Sequence, residues 1–189
     1  MRGRRILVAA VSAMALAVPA AVAGTMAVAG SATATPYCGI TWGSLPKTAS
    51  GMTTAPVTNV RAGKQTCADR LVIDLRGPVK GYNVRYVSQI IADGSGAVIP
   101  VRGGAKLQIA VNAPAYDINT GALTYNPANP NELVNVTGWT TFRQVVWAGT
   151  FEGYTSLGLG VRAQLPFQVF TLAGPGSGSR LVIDVANRW

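Results

Sequence analysis

The sequence contains no histidine and only seven acidic residues among its 189. The lack of histidine removes the commonest general base near neutral pH and the imidazole of Ser-His and Cys-His nucleophile pairs. It also removes the usual ligands of zinc hydrolases. Catalysis would have to rely on carboxylates, which are Asp69, Asp74, Asp93, Asp117, Glu132, Glu152 and Asp184. We therefore expect a protein that is not an enzyme and that carries no cofactor or metal.

A glycoside hydrolase is the enzyme class that the carboxylates could still support. It needs two carboxyl groups, one protonated and one ionised, on either side of a sugar. Asp74 with Asp184 is the first possible pair, and Glu152 with Asp117 is the second. Asp74 and Asp184 each follow an arginine by four residues, so a surface ion pair explains them equally well.

Long apolar runs are confined to the N-terminus, where MRGRRILVAAVSAMALAVPAAVAG has the pattern of an export signal. Its arginines are followed by an apolar stretch from Ile6 to Val18, and Ala32-Thr33-Ala34 is a small-x-small cleavage site. We predict a signal peptide over residues 1–34, an extracytoplasmic mature chain and no membrane span after cleavage. Retention of the segment as an anchor is the alternative.

Cysteine is nearly absent too, and both cysteines, Cys38 and Cys67, follow the predicted signal. An even count in an exported chain predicts one disulfide, which would tie an irregular segment over 35–55 to the first strands. A reactive thiol or a metal site is the alternative.

The charge balance stays basic after the signal. Three of the sixteen basic residues lie in it, which leaves thirteen against seven acidic residues and a net charge of +6. Outside a cell, the available polyanions are wall polymers, lipid surfaces and peptide carboxylates. The basic surface therefore favours envelope contact over nucleic acid, although general solubility explains it as well.

Helical periodicity is almost absent, and alternation with a period of two dominates. The expected strands are 57–63, 70–76, 82–91, 106–111, 133–138, 140–149, 155–163, 167–172 and 180–186. Clusters of Gly and Pro separate them, and one long excursion, 112–132, is either ordered or a mobile flap. This pattern predicts an all-β domain over 56–189, a sandwich of two mainly antiparallel sheets with eight to ten short strands and little helix.

The stretch RLVID occurs twice, at 70–74 and 180–184. In each copy the leucine and isoleucine face a core, while the arginine, valine and aspartate face outward. Arg70, Asp74, Arg180 and Asp184 are therefore candidate binding residues. If the two strands are neighbours, their arginines form one basic face. The simplest interpretation remains a shared structural role.

A second candidate surface lies on the strand TSLGLGVRA. Gly158 and Gly160 share a side with Arg162, which leaves that side nearly bare. Trp147 and Arg143 on the preceding strand, with Tyr154, could flank the strip, stack on a sugar and clamp a carboxylate. The alternative, which we favour, is that an aromatic ring packs on the glycines and completes the sheet.

Several segments resemble a known family, the actinobacterial secreted AMIN-like domains, which are related to the AMIN envelope-targeting domains of cell-wall amidases. The segments are YCGITWGS, VTNVRAG, DRLVIDLRGP, FEG followed by LGLGVRA, LPFQVFTL and SRLVIDVANRW. The resemblance implies an exported β-sandwich that targets the envelope without catalysis. No amidase domain follows Trp189, so we expect such a module to act alone or through a partner.

We therefore expect a secreted or wall-associated module that binds peptidoglycan or an anionic glycopolymer of the wall, with no nucleic acid partner. Two other classes stay open. One is a carboxylate-dependent hydrolase of wall glycans, and the other is a scaffold that binds another exported protein through a sheet edge.

Overall fold

The computed structural model describes residues 36–189 and shows a β-sandwich. One turn of 3-10 helix, Tyr37–Gly39, precedes the strands. Eleven strands lie in the described range: β1 (Lys47–Ala49), β2 (Val57–Lys64), β3 (Ala68–Leu75), β4 (Tyr82–Val87), β5 (Ile90–Ile91), β6 (Val98–Ile99), β7 (Ala105–Val111), β8 (Phe142–Phe151), β9 (Tyr154–Val161), β10 (Phe167–Ala173) and β11 (Ser179–Ala186). The predicted signal peptide lies outside the described residues. Within them, no helix has the length and apolar character needed to cross a bilayer.

The strands form two main antiparallel sheets and one small one, as the alternation predicts. The larger sheet has the order β1-β4-β7-β9-β8, and the four-stranded sheet has the order β10-β11-β3-β2. The pair β5-β6 stands apart from both. The all-β prediction is confirmed.

One apolar core lies between the inner faces of the two main sheets. Alternate residues of β3 and β11 meet alternate residues of β7 and β9, and all of them are fully buried: Leu71, Ile73, Leu181 and Ile183 on one side, and Leu107, Ile109, Leu157 and Leu159 on the other. Burial of this kind stabilises a domain by about 25 cal/mol per Å² of apolar surface removed from water. The predicted inward residues are thus correctly assigned.

Residues Thr35–Trp189 form one compact unit. Every described strand, both apolar clusters and the disulfide lie within it. A polypeptide of these residues therefore retains the complete core, and we call it the 35–189 unit.

The strand predictions fail at two places. The expected strand 82–91 ends at Val87, because the chain bends at residues 88–89 and leaves the sheet. The expected strand 133–138 is a loop, since Asn135 turns back to accept a hydrogen bond from the Thr137 amide and a turn follows at residues 137–138. The short strands β1 and β6 were not predicted, and at two to three residues they carry too little alternation to detect.

The excursion 112–132 is an ordered loop that packs on the core. Ala113 and Ala115 are fully buried. The Thr124 hydroxyl donates to the Val57 carbonyl at 2.7 Å, and the Ala115 amide donates to the Thr150 hydroxyl at 3.0 Å. Of the two alternatives for this segment, the ordered one is confirmed.

Candidate functional site

The two RLVID stretches are neighbouring strands at the centre of the four-stranded sheet. β3 and β11 pair antiparallel, with Val72 opposite Val182. The register places Arg70 opposite Asp184, and Arg180 opposite Asp74. Each arginine of one copy therefore faces the aspartate of the other copy, on the outer face of the sheet.

The first of these pairs forms a bidentate ion pair. Arg70 Nε lies 2.6 Å from Asp184 Oδ1, and Nη2 lies 2.7 Å from Oδ2. Gln168 Nε2 donates to the same carboxylate at 3.1 Å, and the guanidinium lies 5.4 Å from the centre of the Phe170 ring. The hydrogen bond to Asp184 raises the pKa of Arg70. Both acceptor oxygens of Asp184 are therefore occupied inside the protein.

The second pair does not form, because another residue takes the carboxylate. Arg61 on β2 donates to Asp74 through Nε at 2.8 Å and through Nη2 at 2.9 Å. Arg180 turns away and donates from Nη2 to the Ala173 carbonyl at 2.7 Å. Its Nε is buried and has no hydrogen-bond partner among the described residues. A buried donor without a partner is costly, so this N–H is a point at which a ligand acceptor would be stabilising.

A groove follows this face of the sheet. Its wider part has a volume of about 520 Å³, and an adjoining part of about 200 Å³ shares Arg61 with it. We call the two parts the arginine groove. Its lining includes Asn59, Arg61, Asp74, Arg76, Ser177 and Ser179 in the wider part, and Arg61, Arg70, Leu172 and Arg180 in the narrower part.

The arginine groove carries an excess of positive charge. Asp74 and Asp184 neutralise Arg61 and Arg70. Arg76 is exposed, and neither it nor Arg180 forms an ion pair among the described residues. A planar guanidinium with free N–H groups binds carboxylates and phosphates well, often through two parallel hydrogen bonds. The chemistry available here is therefore the binding of an anion.

The outer face of these strands is less exposed than the alternation predicts. Val182, Asp184 and Ala186 were expected to face solvent, but they are 1%, 2% and 0% exposed. Arg70 and Arg180 line the narrow part of the groove together with Val182. Long basic side chains commonly cover apolar strand faces in this way.

Asp74 and Asp184 do not form the pair that a glycosidase needs. Asp74 and Asp184 lie four residues apart along paired strands, which at ~3.3 Å per residue is about 13 Å. Catalytic pairs stand about 5 to 9.5 Å apart. Asp117 accepts hydrogen bonds from the Asn119 and Thr120 amides, which lower its pKa and keep it ionised. Glu152, its predicted partner, is exposed in the β8–β9 turn.

The predicted bare strip on β9 is covered. Residues 88–104, which include β5 and β6, leave the sheet and fold back over its outer face, and we call them the arm. Gly158 and Gly160 are buried beneath it: a side chain on Gly158 would meet Ile90 and Val146, and one on Gly160 would overlap the Arg102 carbonyl. The glycines therefore allow a second layer of polypeptide to approach, and no ligand surface remains there.

Two glutamines of the covered sheet hold the arm in place. Gln108 accepts from the Ile91 amide at 3.1 Å and donates to the Ile91 carbonyl at 3.2 Å. Gln144 accepts from the Arg102 amide at 2.7 Å. A small apolar cluster of Ile90, Val101, Val146 and Ala148 lies between the two layers.

Replacing Gly160 with alanine is expected to displace the arm, because the added methyl group cannot fit beneath Arg102. We expect the free energy of unfolding to fall by about 1–3 kcal/mol, the usual cost of overpacking. Amide hydrogen exchange over residues 88–104 should accelerate. Gly63→Ala on β2 is the matched control, since its nearest neighbour would be 3.7 Å away. If residues 88–104 exchange at the same rate in both variants, Gly160 is not what allows the arm to pack on the sheet.

The other predicted flanking residues do not flank the strip on β9. Trp147 lies on the core side of β8 and packs against Tyr125 at 5.3 Å, while its neighbour Val146 faces Gly158. Arg143 donates to the carbonyls of its own loop. Tyr154 and Arg162 lie at opposite ends of β9. Of the ten predicted binding residues, the structure groups Arg70, Asp74, Arg180 and Asp184 on the outer face of the four-stranded sheet, and it brings Arg143 and Arg162 to one end of the sandwich.

The comparison with known families adds one finding to this geometry. A family model described as the AMIN-like domain matches residues 55–187. The chain belongs to the AMIN-like family. Searches of the curated proteins and of the solved structures found no match. Membership indicates an extracytoplasmic module related to cell-wall binding, and the Cys38–Cys67 disulfide fits an oxidising compartment.

Other residues of the AMIN-like domain that line the arginine groove were not predicted from the sequence. Arg61 and Asn59 lie on β2, where a bulge between Val57 and Asn59 breaks the alternation. The β10–β11 turn also lines the groove through residues 175–178. The spacing of Asn59, Arg61 and Gly63 on one strand face was the available signal. Within residues 36–189 the AMIN-like domain has no cluster of metal-ligating side chains.

Proposed function

We propose that this AMIN-like domain binds an anionic component of the cell envelope, first of all peptidoglycan, in the arginine groove and without cleaving it. One observation carries the proposal. Arg180 lies opposite Asp74 in the sheet but does not pair with it, and its buried Nε has no acceptor. If the Arg180 side chain turns toward the groove, a carboxylate of a wall peptide or a phosphate of a wall polymer would supply the missing acceptor.

The other residues that line the groove also suit the binding of carboxylates. Arg76 adds a second unpaired guanidinium at the wide part of the groove. Asp74 orients Arg61 between the two parts. Asn59 and Ser177 provide neutral donors and acceptors for a sugar or peptide backbone. The open shape suits a polymer strand that lies across the sheet.

The test measures how much of the 35–189 unit sediments with isolated cell wall. Arg180→Gln is expected to weaken binding about 10-fold or more, since a hydrogen bond to a charged group contributes about 1.5–3 kcal/mol. Arg76→Gln should weaken it by a smaller factor because that side chain is exposed. Wall stripped of anionic glycopolymers separates peptidoglycan from phosphate polymers as the ligand.

Arg85→Gln is the matched control, because Arg85 is exposed on the larger sheet and, within residues 36–189, its side chain donates to Asn83 alone. Arg143→Ala and Arg162→Ala test the other predicted face. If these two variants weaken sedimentation and Arg180→Gln does not, the site lies outside the arginine groove. Release of new reducing ends or amines from the wall would contradict the non-catalytic part of the proposal.

A further inference from the structure

Basic and aromatic residues collect at one end of the sandwich, where the chain enters the described domain at Pro36. At this end β2 and β8 meet the ends of β9 and β11. We call it the basic-aromatic end. It comprises Tyr37, Trp42, Lys64, Trp139, Arg143, Arg162, Arg188 and Trp189.

Contacts join the N- and C-terminal members of this group. The Arg188 guanidinium lies 4.6 Å from the centre of the Tyr37 ring, and Trp42 Nε1 donates to the Tyr37 carbonyl at 2.7 Å. The Cys38–Cys67 disulfide fixes this segment to the β2–β3 turn. Entry segment and C-terminus therefore form one surface.

Asn187 connects that surface to its other half. Its carbonyl accepts from Arg162 Nη2 at 2.7 Å, and its side chain accepts from the Thr141 hydroxyl at 3.0 Å. In the adjoining loop Arg143 donates to the Trp139 carbonyl, and Lys64 lies 5.7 Å from the centre of the Trp139 ring. The cations and rings are thus one continuous patch.

The acidic side chains that lie near these cations are already engaged within the protein. Asp69 is 1% exposed and accepts from the Thr141 and Phe142 amides at 2.7 and 2.9 Å. Glu132, which lies near Arg143, pairs with Arg102 at 2.6 Å. Asp117 and Glu152, both exposed, belong to the turns at the opposite end. The basic-aromatic end therefore attracts anions. At physiological salt, ions in solution screen this attraction beyond a distance of about 8 Å.

The rings give this surface a second chemistry. Trp189 is 73% exposed, and it follows Arg188 directly. Indole rings beside cations are suited to the headgroup region of a bilayer, where the ring is shielded from water and the cation contacts phosphate.

We propose that the basic-aromatic end docks on the surface of a bilayer that contains anionic lipids. Charge complementarity and the exposed indole both favour this occupant. The surface is distinct from the arginine groove on the outer face of the four-stranded sheet, and this proposal does not depend on the one made for that groove. Together they would leave the groove free for the wall while the end contacts the membrane.

The test uses the 35–189 unit, so that the apolar N-terminal stretch makes no contribution. The unit is expected to sediment with vesicles of phosphatidylcholine mixed with phosphatidylglycerol, and not with phosphatidylcholine alone. Lys64→Gln and Arg188→Gln should each weaken binding about fivefold, the equivalent of about 1 kcal/mol per basic residue at an anionic surface. Lys80→Gln, an exposed lysine at the opposite end, should leave binding unchanged.

Trp189 provides a separate readout. The tryptophan fluorescence should shift to shorter wavelength when anionic vesicles are added, and Trp189→Phe should remove the largest part of the shift because Trp189 is the most exposed indole of this surface. Equal binding by the wild type, Lys64→Gln and Arg188→Gln would overturn the proposal. A second result would also overturn it: a soluble polyphosphate binds as tightly as the vesicles, and Trp189→Phe changes neither polyphosphate binding nor vesicle binding. The surface would then be a site for phosphate polymers and not for a bilayer. If both proposals hold, the Arg180→Gln variant should lose wall binding and keep vesicle binding.

Discussion

Replacement of Arg70 by methionine is expected to lower the free energy of unfolding by about 3–5 kcal/mol. The reason is the state in which Asp184 would be left. Its side chain is 3% exposed, and Arg70 supplies two of its hydrogen bonds. Methionine keeps the apolar stem but removes the charge, so a buried carboxylate would keep only Gln168 as a partner. Urea unfolding followed by circular dichroism measures the loss.

The chain contains its own control for this prediction. Arg61 and Asp74 make a similar bidentate pair, but their side chains are 50% and 20% exposed. Exposed pairs contribute at most about 1 kcal/mol, so Arg61→Met should cost several times less than Arg70→Met. Adding Asp184→Leu to Arg70→Met should restore most of the stability, because no unpaired charge then remains. Equal losses at Arg70 and Arg61 would show that burial does not set the difference.

Removal of the disulfide, by Cys38→Ser with Cys67→Ser, is expected to lower the free energy of unfolding by about 3–4 kcal/mol. The two residues are 29 positions apart, and a loop of this length gives that value from the lost restriction of the unfolded chain. The sheets should survive, since both half-cystines lie outside the strands. The measurement is urea unfolding of the double variant and of the wild type with and without a thiol reductant.

The reduced wild type controls for the serine substitutions, because it should lose the same stability without any change of sequence. Hydrogen exchange should rise first in residues 36–46, which the disulfide ties to the β2–β3 turn. If reduction leaves the unfolding midpoint unchanged, the N-terminal segment is held by β1 and by the pairing of Gly43 with Phe167 instead.

Alternation in the sequence was sufficient to predict the core, because inward residues such as Leu71, Ile73 and Ile183 follow a local rule. The same rule was wrong about exposure on the outer face. Val182 and Asp184 point away from the core and are still buried, since side chains from neighbouring strands lie over them. The order of the strands in a sheet depends on the whole fold, so it cannot be predicted from the alternation within one strand.

The glycines of β9 illustrate the same limit. Gly158 and Gly160 correctly indicated that something approaches the strand closely. What approaches is the arm, whose residues lie more than fifty positions earlier and whose attachment depends on Gln108 and Gln144. Trp147 was the aromatic residue expected to pack on the glycines. The register of β8 instead points Trp147 toward the core and places Val146 opposite Gly158.

Half of the candidate site was predictable, and half was not. Arg70, Asp74, Arg180 and Asp184 were identified because they recur in a repeated stretch. The pairing of Arg70 with Asp184, rather than each arginine with the aspartate on its own strand, required the antiparallel register. The role of Arg61 was hidden because it belongs to a third strand, and its capture of Asp74 is what leaves Arg180 unpaired.

The central pairing of Val72 with Val182 places a local two-fold axis in the sheet. Asp74 and Asp184 are equivalent positions about this axis, but they are held differently: Asp184 pairs with Arg70 across the axis, whereas Asp74 pairs with Arg61 on the outer strand. The symmetry of the backbone ladder is therefore not shared by the charges on its outer face.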